Sequence, residues 1–190
     1  MTDADLAADL AQTAGRILLE VRDSGMFNGK VLGKAGDQTA NEFLIHALRH
    51  QRPEDGLLSE ESKDTEERLD KSRVWIIDPV DGTREYGEER SDWAVHVALA
   101  VDGVASIGAV ALPGLGCGVV LRSDEVGDCP THDGPPRLVI SRTRPAAEAL
   151  SVAERLGGEL LPMGSAGAKA MAVVRGEAEI YLHSGGQYEW

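Results

Sequence analysis

Apolar positions in the first fifty residues recur at helical spacing. Between Asp5 and Arg22, Leu6, Leu10, Ile17, Leu18 and Val21 share roughly one face with alanines between them, which predicts an amphipathic helix. Phe43, Leu44, Ala47 and Leu48 predict a second helix over Thr39–Arg49, closed by Pro53. The Gly-bearing stretch Ser24–Lys34 between them reads as a loop. The pattern then shortens. Leu57-Leu58 reads as a buried strand delivering Ser59-Glu60-Glu61, Lys63–Arg73 as a solvated excursion, and Val74–Ile77 as a strand ended by Asp78-Pro79. Trp93–Val101, Val104–Leu112 and Gly116–Arg122 predict three successive strands, the first two joined by Asp102-Gly103, a dipeptide suited to a tight hairpin. Past the Gly-, Pro- and Asp-rich stretch Ser123–Pro136, strand Arg137–Ile140, helices Pro145–Leu156 and Ser165–Arg175, and strand Ala178–Leu182 predict a second α/β unit. The expected division is 1–135, an α+β metal- and phosphate-binding domain, and 136–190, the start of an α/β substrate domain.

Charge changes the picture more than overall composition does. With 32 Asp+Glu against 19 Lys+Arg, the net charge of −13 argues against nonspecific grip on a nucleic-acid polymer or an anionic membrane. If an acidic protein takes an anionic substrate, a cation has to sit between them. The start is acidic, and Trp93–Val101 is the longest near-apolar run, well short of the ~20 residues that span a bilayer. Cys117 and Cys129 are the only cysteines and make no disulfide framework, so free thiols and a cytoplasmic protein are expected.

Candidate chemistry concentrates at Asp37, Glu60, Asp78, Asp81 and Thr83. Asp78 directly follows an apolar strand. Pro79 removes a donor and forces a turn that carries Asp81 toward the same side, and Gly82 and Thr83 offer backbone N–H groups to a phosphate oxygen. Glu60 reaches the same sheet end from a neighbouring strand. Three converging carboxylates need cations, and hard oxygen ligands suit Mg²⁺. Each residue also has a plainer reading: a turn-forming Asp, a solvated Glu-Glu, a helix-capping Asp37, a surface Arg84, a solvated helix Lys169. The order Asp-Pro-x-Asp-Gly-Thr behind an apolar strand outweighs those readings for the central motif. Other sites fail on spacing. Asp78 and Asp81 stand three apart, unlike a calcium loop or the two-apart acids of a haloacid-dehalogenase-type phosphatase, and no Gly-x-x-x-x-Gly-Lys loop occurs. His46, His50, His96, His132 and His183 show no zinc spacing, and His96, alternating with Val95 and Val97, reads as packing or hydrogen bonding.

Leu58-Ser59-Glu60-Glu61-Ser62 and Trp75-Ile76-Ile77-Asp78-Pro79-Val80-Asp81-Gly82-Thr83 resemble the two signature motifs of the inositol monophosphatase superfamily. Gly36-Asp37, Gly164-Ser165-Ala166-Gly167-Ala168-Lys169 and Tyr188-Glu189-Trp190 extend the likeness across the chain. The pattern is most similar to the bacterial CysQ type, the 3′(2′),5′-bisphosphate nucleotidases, particularly the actinobacterial form. The resemblance implies a layered αβαβα sandwich and Mg²⁺-dependent removal of the 3′-phosphate from 3′-phosphoadenosine 5′-phosphate, a by-product of sulfate assimilation. It further implies inhibition by Li⁺. Two or three Mg²⁺ ions would be held by Glu60, Asp78, the carbonyl of Val80 and Asp81. Asp37, Glu60 and Thr83 would be catalytic, and Asp81, Gly82, Thr83, Arg84 and Lys169 would contact substrate. An inositol monophosphatase or fructose-1,6-bisphosphatase would share the catalytic residues. A small phosphorylated substrate is the partner implied, with a homodimer compatible. The family motif continues Trp-Asp-x-x-Ala where this chain stops at Trp190, so a truncated member with an incomplete second domain is expected, and an inactive metal-binding fragment is the non-enzyme alternative.

Overall fold

The computed structural model describes residues 1–64, 66–116, 118–125, 127 and 131–184. Cys117, Cys129 and Tyr188-Glu189-Trp190 lie outside them. The chain forms a mixed α/β structure of two compact units, Met1–Val126 and Gly127–Trp190.

In the first unit, helices α1 (Asp3–Asp23) and α2 (Gly29–Gln51) pack against a five-stranded sheet of β1 (Gly56–Ser59), β2 (Arg73–Asp81), β3 (Ala94–Val101), β4 (Val104–Leu112) and β5 (Val119–Arg122). The strands lie in sequence order, β1 parallel to β2 and the rest antiparallel. Alternation along β2 and β3 turns Trp75, Ile77, Val95, Val97 and Leu99 into one core with Leu10, Leu18, Leu44 and Leu48 of the helices. Full burial of a leucine such as Leu44 contributes about 1.5–3 kcal/mol. Thr2 caps α1 in a reciprocal box with Asp5. Asp102 and Gly103 both take positive φ, the geometry of a two-residue hairpin between β3 and β4.

Two local expectations change. α2 begins at Gly29, ten residues before the predicted start, so Gly29–Lys34 is helix and not loop. Two of its glycines are there for close approach. A Cβ on Gly33 would meet the Thr83 carbonyl oxygen at 3.0 Å, and one on Gly36 would meet the Tyr86 ring at 2.4 Å. In addition, β2 does not end at Asp78 but continues through Pro79 to Asp81. Asp78 opposes His96 and Asp81 opposes Ala94, so three steps on β2 match two on β3. That extra residue is a β-bulge, a place where a strand tolerates proline.

The second unit has a parallel sheet in the order β7 (Glu159–Met163), β6 (Arg137–Ser141), β8 (Ile180–Tyr181), with helices α4 (Ala147–Leu156) and α5 (Ala166–Val174). β6 is central and apolar, with Leu138 and Val139 fully buried. β7 was not predicted. Pro162 hides it in the sequence, and its edge position is what makes the proline tolerable.

Candidate metal centre and active site

Because β1 and β2 are parallel, residues that follow β1 and residues that end β2 meet at one end of the sheet. Glu60 comes from the first, Asp78 and Asp81 from the second. Side chains of a regular strand alternate in twos, so Asp78 and Asp81 would face opposite ways; the bulge puts both on the His96 face. Asp81 Oδ2 lies 3.0 Å from His96 Nε2, and one ligand atom each of Asp78, Asp81 and His96 fall within 4.8 Å of one another. Glu60 comes within hydrogen-bonding reach of Asp78.

Gly82, at φ 93°, turns the chain sharply into α3 (Thr83–Gly87), a single turn packed on α2. The Thr83 hydroxyl donates to Val80 O at 3.0 Å and leans on Asp37 Oδ2 at 3.4 Å. Val80 N in turn donates to Asp78 Oδ1 at 3.1 Å. Beneath α3, the Tyr86 hydroxyl donates to Leu18 O at 2.7 Å and its ring meets Trp93 edge-on, which fixes the helix to the core. Asp37 is 7% exposed and sits inside α2, so it caps no helix; its carboxyl also hydrogen-bonds Glu61.

Burial, reinforced by the charges of Glu61 and Glu60, pushes Asp37 up to about 8. Burial and the charges of Asp81 and Glu60 push Asp78 up to about 9. Partial burial, aided by Glu61 and Asp81, holds Glu60 above the usual range as well. Acids that hold protons this tightly are crowded with like charge. The donor set is carboxylate and carbonyl oxygen with one imidazole, which fits a hard divalent cation.

A cavity of about 940 Å³ opens beside this cluster, lined in part by Lys30, Lys34, Asp37, Glu61, Thr83 and Arg84. Arg84 is exposed and pairs with Glu88 at 2.8 Å. Lys169 lies in the second unit and is not a solvated lysine. It is 5% exposed, and its ammonium donates to Gly164 O and Ser165 O and sits 5.4 Å from the Tyr181 ring centroid. Ser165 caps α5 by accepting from Ala168 N. Thus Asp37, Glu60, Asp78, Val80, Asp81, Gly82 and Thr83 gather in the first unit, with Arg84 beside them. Sequence reasoning passed over His96 as a candidate ligand and did not single out Asn41. For His96 a signal existed, since antiparallel register puts it opposite Asp78; for Asn41 the only signal is its position one helical turn beyond Asp37.

The chain belongs to the inositol monophosphatase family, whose family model matches residues 3–190. It is 48% identical over 204 residues to a 3′-phosphoadenosine 5′-phosphate phosphatase of Mycobacterium leprae, covering 100% of this chain and 75% of that protein. It is 28% identical to the 3′(2′),5′-bisphosphate nucleotidase CysQ of Escherichia coli, covering 98% of this chain and 82% of the relative. Among solved structures it superposes with a TM-score of 0.73 on CysQ from Bacteroides thetaiotaomicron, at 24% identity over 94% of this chain and 78% of that one. Among the described residues, no helix is long and apolar enough to cross a membrane.

Proposed function

From membership of the inositol monophosphatase family, we propose that the protein is an Mg²⁺-dependent phosphomonoesterase that removes the 3′-phosphate of 3′-phosphoadenosine 5′-phosphate. The observation that carries the chemistry is the gathering of Asp37, Glu60, Asp78, Asp81 and Thr83 at one sheet end, with carboxyls raised to about 8 and about 9. The 48%-identical mycobacterial phosphatase supports the substrate.

Glu60, Asp78, the Val80 carbonyl and Asp81 would hold two or three ions, with His96, 3.0 Å from Asp81, orienting that carboxylate. Bound there, Mg²⁺ supplies positive charge that activates a water and offsets the charge of the departing oxygen. The residues do the rest. Thr83, donating to Val80 O, keeps oxygen lone pairs available to accept from the attacking water. Asp37, beside the Thr83 hydroxyl at 3.4 Å, would take up the proton once bound cations offset the surrounding charge and leave it ionised. Gly82 and Thr83 offer backbone N–H groups and Arg84 a guanidinium to the phosphate. In this reading the enzyme disposes of a by-product of sulfate assimilation, and Li⁺ inhibits by taking an ion position with too little charge.

A phosphate-release panel with Mg²⁺ tests the assignment. 3′-Phosphoadenosine 5′-phosphate should be hydrolysed well ahead of inositol 1-phosphate and fructose 1,6-bisphosphate, with Li⁺ inhibiting. Preference for either of the other two would overturn the substrate, and Mg²⁺-independent release would overturn the mechanism.

A further inference from the structure

One turn past Asp37 on α2, Asn41 is 6% exposed and therefore has to find its hydrogen bonds inside the protein. It finds them on the turn that carries the two glutamates. Its side-chain oxygen accepts from the buried Ser59 hydroxyl at 2.6 Å, and its amide donates to the Ser62 hydroxyl at 3.1 Å. Ser59 is the last residue of β1, and Ser62 lies just beyond Glu60 and Glu61. The turn's other bonds are longer: within it, Ser62 N to Ser59 O and Glu61 N to the Ser59 hydroxyl, each at 3.3 Å, and to β2, Glu60 N to Ile77 O at 3.3 Å. Asn41 thus grips both ends of a four-residue turn.

That grip opposes a specific force. Glu60 is pressed against Asp78, and Glu61 against Asp37, with Asp81 adjacent. Carboxyl oxygens this crowded favour any geometry that spreads them, so the turn needs an anchor if Glu60 is to stay beside Asp78. β1 is only four residues long, and both glutamates are exposed on their outer side, so little packing resists outward swing of the turn. A buried amide paired at both its oxygen and its nitrogen is stiff, because breaking those bonds strands polar groups at a cost of about 1–3 kcal/mol.

We propose that Asn41 is a positioning residue that clamps the Ser59–Ser62 turn and so keeps Glu60 within reach of the ion shared with Asp78. The inference rests on the reading of Glu60 and Asp78 as metal-holding carboxylates. Asn41 touches no substrate. Its loss therefore lowers Mg²⁺ affinity and leaves the phosphate-binding turn at Gly82-Thr83 in place.

The test is Mg²⁺ titration of the whole chain, followed by the rise in melting temperature and, separately, by activation of phosphate release from 3′-phosphoadenosine 5′-phosphate. Asn41→Ala should raise the Mg²⁺ midpoint roughly tenfold or more in both readouts, with KM for the nucleotide nearly unchanged. Ser62→Ala removes one arm and leaves the Asn41–Ser59 bond intact, so it should raise the midpoint about threefold, and it decides the matter if Asn41→Ala does not fold. Thr39→Ala, on the exposed side of the same helix, should change neither. Variants that melt earlier yet share the wild-type midpoint would reduce Asn41 to a structural residue and overturn the proposal. If wild type hydrolyses none of the substrates while the thermal midpoints still separate the variants, the substrate reading fails and this one stands. If Mg²⁺ does not raise the wild-type melting temperature, both fail.

Discussion

Asp3 and Asp55 at the leading end of β1 and β2, and Asp37, Glu60, Asp78 and Asp81 at the trailing end, are carboxylates around one sheet with opposite surroundings. At the leading end, Arg73 reaches Asp55 at 2.9 Å and Asp3 at 3.0 Å, Arg52 reaches Asp3 at 2.8 Å, and Trp75 Nε1 donates to Asp55 at 2.8 Å. Burial there pushes Asp3 upward but is outweighed by the Arg52 and Arg73 hydrogen bonds, which hold it below the usual range. At the trailing end, carboxylates face carboxylates, and Asp37 and Asp78 rise to about 8 and about 9. One end is neutralised from within the chain; the other is crowded with like charge, as the proposed cation site requires. Net charge alone, however negative, distinguishes neither.

Paired substitutions break the comparison most directly. Asp78→Asn should lower turnover by about 100-fold or more, since the proposed ion site loses a carboxylate ligand, and should raise the metal-free melting temperature, since a buried amide carries no ionisation cost. Asp55→Asn should cost roughly 1.5–3 kcal/mol by weakening a charge-assisted pairing, with the Mg²⁺ requirement unchanged. Assays of phosphate release and melting on both proteins check this; loss of melting temperature in Asp78→Asn would mean that its charge is compensated internally after all.

A smaller effect separates the ends by their glycines. Gly33→Ala sets a methyl 3.0–3.1 Å from Thr83 at the trailing end, while helix propensity favours alanine by about 1 kcal/mol. Turnover should fall about tenfold with stability held or raised, because displacement of a few tenths of an ångström matters to positioned groups. Gly56→Ala at the leading end meets Arg68 at 3.0 Å and Val74 at 3.2 Å, and should cost stability alone. Equal kinetic effects in the two would erase the distinction.

The smallest effect is on pH dependence. Asp37 and Asp78 have folded-state values above their ordinary 3.8, so the stability they contribute is full below that value and is lost as pH rises through about 8 and about 9. Asp3 behaves oppositely, its contribution present above 3.8 and lost as pH falls through its lowered value. The metal-free melting temperature should therefore decline between pH 5 and pH 9, values chosen to span that range. Asp78→Asn should flatten the decline, Mg²⁺ should offset it most at the alkaline end, and an unchanged slope in Asp78→Asn would assign the titration elsewhere.

How much of this was legible depended on whether a residue announces its neighbours locally. Strands β2 to β4 follow from alternation, and the Asp102-Gly103 hairpin from turn chemistry. The glycines at the start of α2 look like loop punctuation, and only the packed structure shows that Gly33 makes room for Thr83 and Gly36 for Tyr86. β7 was missed because a proline at a sheet edge looks the same in sequence as a proline in a loop. The acids of the site were legible as a motif. The arrangement that seats them was not, since Asn41, Ser59 and Ser62 meet across 18 and 21 residues of chain.

The bulge at Pro79-Val80 can be regarded as a change of parity. A strand counts its side chains in twos, and an odd spacing between Asp78 and Asp81 is productive only because one residue goes uncounted. Deleting Val80 would restore even counting with every acid still encoded. Asp78 and the following Asp would then stand two apart on a regular strand, but Gly82, Thr83 and α3 would be drawn one residue inward and rotated away from Asp37. The motif sets a reading frame of faces as well as a set of carboxylates, so a single in-frame codon loss here should harm the site more than most substitutions within it.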